Sequence, residues 1–395
     1  MKNCAVVCEY NPFHTGHEYQ LGKIREKGAD NIFCVMSGNF VQSALPAFCD
    51  KALRARCAVS GGADAVIELP AVFATASAQF FARGAVKIIS QVGNLTHMAM
   101  GAVGDPNVVL RLADIRISHR SELDGEVRAA LKSGKSYNKS NTAALCKLYE
   151  KLYGGANIDV DTALCDPNNI LCIEYISAIA DIAPSIEPIL IPRIGATHND
   201  SNSCDGYISA TAIRAAEQSG NFGSVKSFIP FLYDEISAYR TEHAPDMSAF
   251  KKAAVFALKT AETEYIKNLR NCSEGLEYLL KDAAICSDYD GITESASGTR
   301  YSKKRIARLM FDILLGIRKE CLEYRFFTRL LACKKDFDFS LLPSSVKTDN
   351  AAIKTAANEN AEAAELLKID EKATALYNSI CGLRGGYYNY SLIKV

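Results

Sequence analysis

Two histidines flank a small residue near the start of the chain, in segment 9–17, which ends His14-Thr15-Gly16-His17. The segment lies between an apolar run and an amphipathic stretch, where a strand would pass into a helix. A helix N-terminus offers unpaired N–H groups and the positive end of its dipole to a phosphate. Gly16 lets the phosphate approach the backbone, and imidazoles can donate to its oxygens as charge develops. The spacing predicts a phosphate site with His14 and His17 as catalytic residues.

The same segment also has a purely structural interpretation. Thr15 and Glu18 have the spacing of a capping box, with Thr15 as N-cap of the first helix. This interpretation explains Thr15 and Glu18 but leaves the two histidines unexplained, in a chain with only six. We therefore predict that Thr15 caps the helix while the histidines act on the phosphate.

A second segment with phosphate chemistry is 208–214, Ile-Ser-Ala-Thr-Ala-Ile-Arg. It can be read as an ordinary helix start with Ser209 as N-cap. However, Ser209, Thr211 and the bidentate donor Arg214 could equally clamp a phosphate. Together with the histidine motif, this segment forms the two-part signature of adenylyl-transferring Rossmann-like enzymes.

Composition excludes several classes of protein. The 395 residues contain 45 Lys+Arg and 45 Asp+Glu, so no global field points to nucleic acid or membrane. No stretch reaches the roughly 20 apolar residues that span a bilayer, and no signal peptide is recognisable. The 14 cysteines are scattered without Cys-x-x-Cys pairs, which indicates buried thiols and no zinc site. We expect a cytoplasmic protein with no membrane, metal site or protein partner.

Short apolar runs alternate with helical patterns through the first 100 residues, and a further run follows at 186–191. This alternation predicts βαβ units and a parallel sheet that binds its ligand beyond the carboxyl ends of the strands. The predicted fold class is α/β, with a Rossmann-like nucleotidyltransferase domain over 1–225 and a helical insertion near 105–165. Residues 226–395 are predicted to form a mainly α-helical domain, in which 303–317 is a clear amphipathic helix.

The chain resembles a known family, the tRNA(Met) cytidine acetate ligases. The resemblance rests on Val-Cys-Glu-Tyr-Asn-Pro-Phe-His-Thr-Gly-His at 7–17 and Val-Met-Ser-Gly-Asn-Phe-Val-Gln at 35–42. Further matches fall at Lys51-x-x-Arg54 and in segments 62–70, 167–171, 193–196, 208–214 and 300–305. The matches run in order from residue 5 to about residue 332.

The resemblance implies a two-step reaction that uses ATP, with Mg²⁺ expected alongside it. ATP and acetate would give acetyl-adenylate, and the acetyl group would pass to the wobble cytidine of elongator tRNA(Met) as N4-acetylcytidine. His14, His17 and Arg214 would be catalytic. The implied ATP contacts are Val7, Cys8, Glu9, Tyr10, Asn11, Pro12, Phe13, His14, Thr15, Gly16, His17, Glu18, Tyr19, Gln20, Gly101, one or both of Asn168 and Asn169, Arg193, Ser209, Thr211 and Arg214.

Two departures from the family pattern concern the acyl and RNA side of the site. The family usually has Phe-Gly-Ser-Glu after strand four, whereas this chain has Met100-Gly101-Ala102-Val103. The family loop Arg-Gly-Glu-Pro is Ser43-Ala44-Leu45-Pro46 here. The adenylation core is therefore better supported than acetate or tRNA specificity.

A local basic patch supports RNA as a partner, because nucleic-acid affinity depends on phosphate contacts. Its alternative interpretation is a solvated helix face. Together with two basic residues on an earlier helix, the predicted tRNA contacts are Lys51, Arg54, Arg300, Lys303, Lys304, Arg305 and Arg308.

Two other functions stay open from the sequence. A small-molecule adenylyltransferase would need no RNA patch. A non-catalytic RNA-binding relative is compatible with the lost Ser and Glu after Gly101.

Overall fold

A mixed sheet forms the centre of the protein in the computed structural model, which describes residues 1–92, 94–134, 137–154, 158–194, 206–273, 275–285, 287–298 and 300–395. Its strands are β1 (Asn3–Cys8), β2 (Asn31–Ser37), β3 (Ala65–Leu69), β4 (Leu95–Ala102), β5 (Glu187–Pro192), β6 (Thr328–Cys333), β7 (Val346–Lys347) and β8 (Ile393–Lys394). The order is β5-β4-β1-β2-β3-β6-β7, and β8 pairs with β6. Strands β1 to β5 are parallel, whereas β6 runs antiparallel to β3.

Helices cover both faces of this sheet and extend beyond it. In the first half they are α1 (Thr15–Glu26), α2 (Lys51–Ser60), α3 (Ala71–Ala74), α4 (Ala78–Ile89), α5 (Pro106–Ser118), α6 (Arg120–Leu131), α7 (Tyr137–Tyr153), α8 (Ile158–Cys165), α9 (Pro167–Ile182) and α10 (Ala210–Gln218). In the second half they are α11 (Tyr233–His243), α12 (Met247–Thr260), α13 (Thr263–Lys267), α14 (Leu276–Ala283), α15 (Tyr289–Ser295), α16 (Lys303–Leu315), α17 (Asn350–Glu359) and α18 (Ala361–Ile380).

The central strands are buried on both faces, which explains their continuous apolar sequence. Alternate residues of β1 enter different cores, with Cys4 and Val6 on one face and Ala5 on the other. The larger core also contains Phe311 and Tyr377 from the second half of the chain. A separate core lies among α12 to α16, around Leu258, Ile306 and Leu309 among others.

The structure confirms the predicted α/β class with a parallel sheet. The apolar runs of the first 100 residues form β1 to β4, and the run at 186–191 forms β5. Helices α5 to α8 occupy the segment predicted as an insertion. The second half is mainly helical but also supplies β6, β7 and β8, which the sequence analysis did not predict. The boundary near residue 225 stays a prediction. Among the described residues, no helix is long and apolar enough to cross a bilayer.

Candidate active site

The first wall of the site is the N-terminus of α1, directly after β1. The N-cap is His14, whose Nδ1 accepts the N–H of Gly16 at 3.0 Å. His17 completes the capping box, because its Nδ1 accepts the N–H of His14 at 3.3 Å. The prediction that Thr15 and Glu18 form the capping box was therefore wrong. Imidazole nitrogens take the acceptor roles that a hydroxyl and a carboxylate usually fill.

These two hydrogen bonds fix the protonation pattern of the histidine pair. Each Nδ1 acts as an acceptor, so each neutral ring carries its proton on Nε2 and can donate it to a ligand. Burial, with Arg193 and Arg214 nearby, lowers the pKa of His14 to about 3. Burial, with His14 and Arg193 nearby, lowers the pKa of His17 well below its usual value. At neutral pH both rings are neutral donors.

Gly16 makes room for one of these rings. A Cβ at this position would lie 2.9 Å from Cε1 of His14, inside van der Waals contact. The two imidazoles lie against each other with ring centroids 3.8 Å apart. The glycine between the histidines is thus required by the packing of the pair itself, in addition to any approach of a phosphate.

The second wall is the N-terminus of α10. Ser209 is its N-cap and accepts the N–H of Ala212 at 3.1 Å, as predicted. Arg214, one turn on, donates to the carbonyl of Asn11 at 2.7 Å and to Oγ1 of Thr211 at 3.1 Å. Two positive helix ends therefore meet in one place, and Arg214 joins them through the turn that precedes α1.

The floor is formed where β4 and β5 end. A Cβ on Gly101 would lie 3.2 Å from Cγ of Arg193, so the glycine leaves space for the arginine to cross it. Asn169, near the start of α9, forms two hydrogen bonds to the backbone of Val103, just after β4. Its Oδ1 accepts the N–H of Val103 at 2.9 Å, and its Nδ2 donates to the carbonyl of Val103 at 3.0 Å. Asn168 bonds within its own helix cap, to Asp166.

Together these elements border an open cleft at the carboxyl edge of the sheet. Eight of the predicted ATP contacts line it: His14, Gly16, His17, Tyr19, Gln20, Gly101, Arg193 and Ser209. The apolar part of its wall was missed, namely Ile191, Pro192, Ile194, Tyr207 and Ile208. Apolar residues beside a phosphate motif carry no signal of their own in one sequence. The cleft wall thus combines polar and apolar side chains, as ligand sites in proteins commonly do.

Other predicted ATP contacts lie behind the cleft wall and pack within the protein. Tyr10, Asn11, Pro12 and Phe13 are buried, and Oδ1 of Asn11 accepts the N–H of Phe48 at 2.6 Å. Val7 and Cys8 pack against the two cores, and Oε1 of Glu9 accepts the N–H of Gln42 at 2.8 Å. Glu18 is half-buried on α1 and does not appear in the cleft wall. These side chains shape the turn that places His14.

The structure corrects the role predicted for Lys51 and Arg54. Nζ of Lys51 lies 2.6 Å from Oε1 of Glu68, and the lysine is only 1% exposed. Arg54 is fully buried and donates to carbonyls of Cys49, Glu9, Ser37 and Gly38. Both side chains are buried and bonded within the protein, so neither is accessible to tRNA.

The remaining basic residues divide by exposure. Arg300, Lys303 and Lys304 are exposed, and Lys303 pairs with Glu294. Arg305 is half-buried and donates to the carbonyl of Asn271 and to Oγ of Ser273. Arg308 is also half-buried. The basic stretch therefore has an outer part and an inner part.

Comparison with known proteins agrees with this geometry. A family model described as HIGH Nucleotidyl Transferase matches residues 1–384. A tRNA(Met) cytidine acetate ligase from Acetivibrio thermocellus is 35% identical over 335 residues, covering 82% of this chain and 79% of that one. One from Lysinibacillus sphaericus is 33% identical, covering 96% and 94%.

Solved structures give the same result for the whole chain. TmcAL from Thermotoga maritima without ligand is similar at a TM-score of 0.90, with 28% identity and full coverage of both chains. The same protein bound with alpha-thio ATP is similar at a TM-score of 0.88, with 27% identity.

The fold, the histidine pair and these matches define a HIGH-type nucleotidyltransferase. More narrowly, the chain belongs to the tRNA(Met) cytidine acetate ligase family.

Proposed function

We propose that this protein is an ATP-dependent ligase that activates acetate and acetylates the wobble cytidine of elongator tRNA(Met). The proposal is carried by one observation: two helix N-termini and two Nε2–H imidazoles converge on a single cleft. The names of the relatives support the ligase and its tRNA. The ATP analogue bound by the Thermotoga maritima protein supports the nucleotide.

In the first step, a carboxylate oxygen of acetate attacks the α-phosphorus of ATP. The bond from that phosphorus to the bridging oxygen breaks, and pyrophosphate leaves with the negative charge. His14 and His17 donate their Nε2 protons as hydrogen bonds to the phosphate oxygens, where charge grows most in the transition state. Ser209 and Arg193 line the same cleft and hold the phosphates, while Arg214 positions the turn before α1.

In the second step, N4 of cytidine attacks the acetyl carbon, AMP leaves and N4 loses a proton. We expect Mg²⁺ to enter with ATP, where it would offset the charge of the phosphates, since the cleft-wall residues that the structure describes include no carboxylate. No group of three or more metal-binding side chains occurs among the described residues. We expect the reaction to take place in the cytoplasm, where ATP and tRNA are available.

ATP–pyrophosphate exchange across a panel of small carboxylates tests the first step. We expect exchange that depends on acetate, and His17→Ala should reduce it about tenfold to a thousandfold. His97→Gln is a matched control, because His97 lies at the start of β4 and outside the cleft wall. Melting temperatures of both variants separate lost catalysis from lost folding, since His17 also belongs to the helix cap.

Three outcomes would contradict this assignment. Exchange supported by a phosphorylated acceptor instead of a carboxylate would identify a small-molecule adenylyltransferase. No exchange with any carboxylate would leave a non-catalytic RNA-binding relative. Unchanged exchange in a folded His17→Ala protein would remove the histidine pair from the chemistry.

A further inference from the structure

The side chain of Arg308 on α16 is half-buried and has no ion-pair partner among the described residues. Its Nε is sealed from solvent and has no hydrogen-bond partner. No ion pair or hydrogen bond to Arg308 occurs within the part of the chain that the structure describes. Burying part of a cation without a partner carries a desolvation cost, and proteins usually pair such a cation or expose it.

The neighbouring carboxylate, Asp312, is bonded to residues other than Arg308. Asp312 is 0% exposed, and both of its oxygens accept hydrogen bonds from Arg270. Its Oδ2 also accepts the N–H of Asn271 at 3.2 Å and the Nδ2 of Asn271 at 2.6 Å. Among the described residues, the four hydrogen bonds to the Asp312 carboxylate thus come from Arg270 and Asn271, and none comes from Arg308.

The surroundings of Arg308 are positive as a result. Burial, together with the nearby Arg270 and Arg305, lowers the pKa of Arg308 to about 10, and Asp312 acts in the opposite direction. Three guanidinium groups thus share one carboxylate. Lys304 lies one turn earlier on the same face of α16 and is exposed. The local charge favours an anion that approaches from the side of Lys304.

This position lies at the same edge of the sheet as the cleft. Arg270 donates to the carbonyls of Val72 and Thr75, which belong to α3 and its C-cap. Helix α3 follows the carboxyl end of β3, and β3 is separated from β1 only by β2. At about 4.8 Å between neighbouring strands, β3 and β1 are about 10 Å apart. The Arg270 contacts therefore place the part of α16 that carries Arg308 near the edge of the sheet that also carries the cleft.

We propose that Arg308 binds one backbone phosphate of the RNA substrate and is the anchor of the basic stretch, with Lys304 beside it. This inference rests on the proposed function, because it takes tRNA as the occupant. Arg305 and Arg270 are positioning residues, since their donors are used within the protein. Lys303 contributes little, because it is exposed and already pairs with Glu294.

The test compares Arg308→Gln with Lys303→Gln as a matched control, using an unmodified elongator tRNA(Met) transcript. We expect Arg308→Gln to weaken tRNA binding roughly tenfold or more, as expected for a charged hydrogen-bonding group. The slope of the logarithm of affinity against the logarithm of salt concentration should fall by about one. Lys303→Gln should change either quantity much less.

Two further measurements separate this proposal from its alternatives. The melting temperature of Arg308→Gln should stay the same or rise, because an uncompensated charge is removed, whereas a structural arginine would lower it. Acetate-dependent exchange without RNA should be unchanged. If Arg308→Gln binds tRNA as tightly as the wild type, or if its melting temperature falls clearly, Arg308 does not bind an RNA phosphate as proposed. Failure of the wild-type protein to bind tRNA would instead overturn the proposed function.

Discussion

His14 and His17 each do two things at once. Their Nδ1 atoms cap the backbone of α1, and this capping leaves Nε2 as the donor that the cleft can use. The helix start and the chemistry therefore depend on the same two rings. Sequence reasoning assigned these tasks to different residues because hydroxyl and carboxylate caps are the common ones.

The pH dependence of stability should report on His14. Its pKa is about 3 in the folded protein and 6.5 in its ordinary state, so the unfolded chain binds more protons between these values. The free energy of unfolding should fall as the pH drops from about 6.5 towards 3. His14→Asn keeps a good N-cap but removes the titration. In urea unfolding measured from pH 7 to 4, the free energy of unfolding of His14→Asn should fall less steeply with decreasing pH than that of the wild type.

His119→Asn provides the control for this experiment. His119 lies at the junction of α5 and α6, away from the cleft. If the free energy of unfolding falls as steeply with decreasing pH in His14→Asn as in the wild type, the lowered pKa of His14 is not the cause of the pH dependence.

Ala44 adopts a backbone conformation that favours glycine. Its φ is 60°, and it is 1% exposed in the turn 41–45. The family resemblance places a glycine at this position, so the departure in this loop introduces backbone strain as well as removing polar groups. Left-handed conformations cost residues with a Cβ about 1 to 2 kcal/mol.

Replacing Ala44 by glycine should therefore be nearly neutral. Relief of strain of about 1 to 2 kcal/mol offsets the lost methyl contact and the greater freedom of glycine in the unfolded chain. Ala58 is the matched comparison, because it is 0% exposed within the regular helix α2. Ala58→Gly should lower the free energy of unfolding by at least about 1 kcal/mol more than Ala44→Gly in denaturant titrations. Equal losses at both positions would contradict the strain at Ala44.

At the scale of elements, the junction of α9 with β4 supports the floor of the cleft. The sequence indicated one of two neighbouring asparagines, and the structure separates them. Asn169 is 1% exposed and bonds to both backbone groups of Val103, two residues after Gly101. Among the described residues, the side chain of Asn168 bonds to Asp166 of the same cap. We assign Asn169 the role of positioning the end of β4.

Asn169→Ala should lose about 2 to 4 kcal/mol of unfolding free energy, because two buried backbone groups are left without partners. Exchange activity measured well below the melting temperature should also fall, mainly through a higher KM for ATP, as Gly101 and Arg193 move. Asn168→Ala should lose about 1 kcal/mol or less. Similar effects of the two replacements would show that the bonds to Val103 do not position the floor.

Elements with strong local patterns were predictable, and elements that depend on distant partners were not. Strands β1 to β5 are apolar runs between helical patterns, and Ser209 is an ordinary cap. Strand β6 has a similar apolar sequence, but it lies among helices and gains its place only by pairing with β3. Strands β7 and β8 have two residues each. The apolar wall with Tyr207 was equally invisible, because it is defined only when β5 and α1 come together.

At the scale of the whole molecule, a buried polar cluster joins the two halves of the chain. Lys51 of α2 pairs with Glu68 of β3, and Nζ of Lys51 lies 4.7 Å from the ring centroids of Tyr387 and Tyr390. Asp370 of α18 accepts the N–H of Ala71, and burial beside Glu68 raises its pKa to about 7. The exposed role that the sequence suggested for Lys51 failed because Tyr387 and Tyr390, more than 300 residues away in the chain, cover it.

Breaking this cluster at one point should be more damaging than removing the pair. Lys51→Met leaves Glu68 buried without its cation and should cost about 3 to 5 kcal/mol in denaturant unfolding. The double replacement Lys51→Met with Glu68→Leu should recover part of that loss. A double variant that loses at least the sum of the two single variants would contradict the pairing.

The antiparallel partner of β3 also has a consequence for biosynthesis. Thr328, at the start of β6, bonds to Glu68 across a separation of 260 residues. At about 5 to 20 residues per second, a ribosome needs roughly 13 to 52 s to cover that distance. During this time the edge of β3 has no strand beside it, and such edges recruit other chains. The nascent protein should therefore need chaperone protection late in its translation, after its nucleotide cleft has already been synthesised.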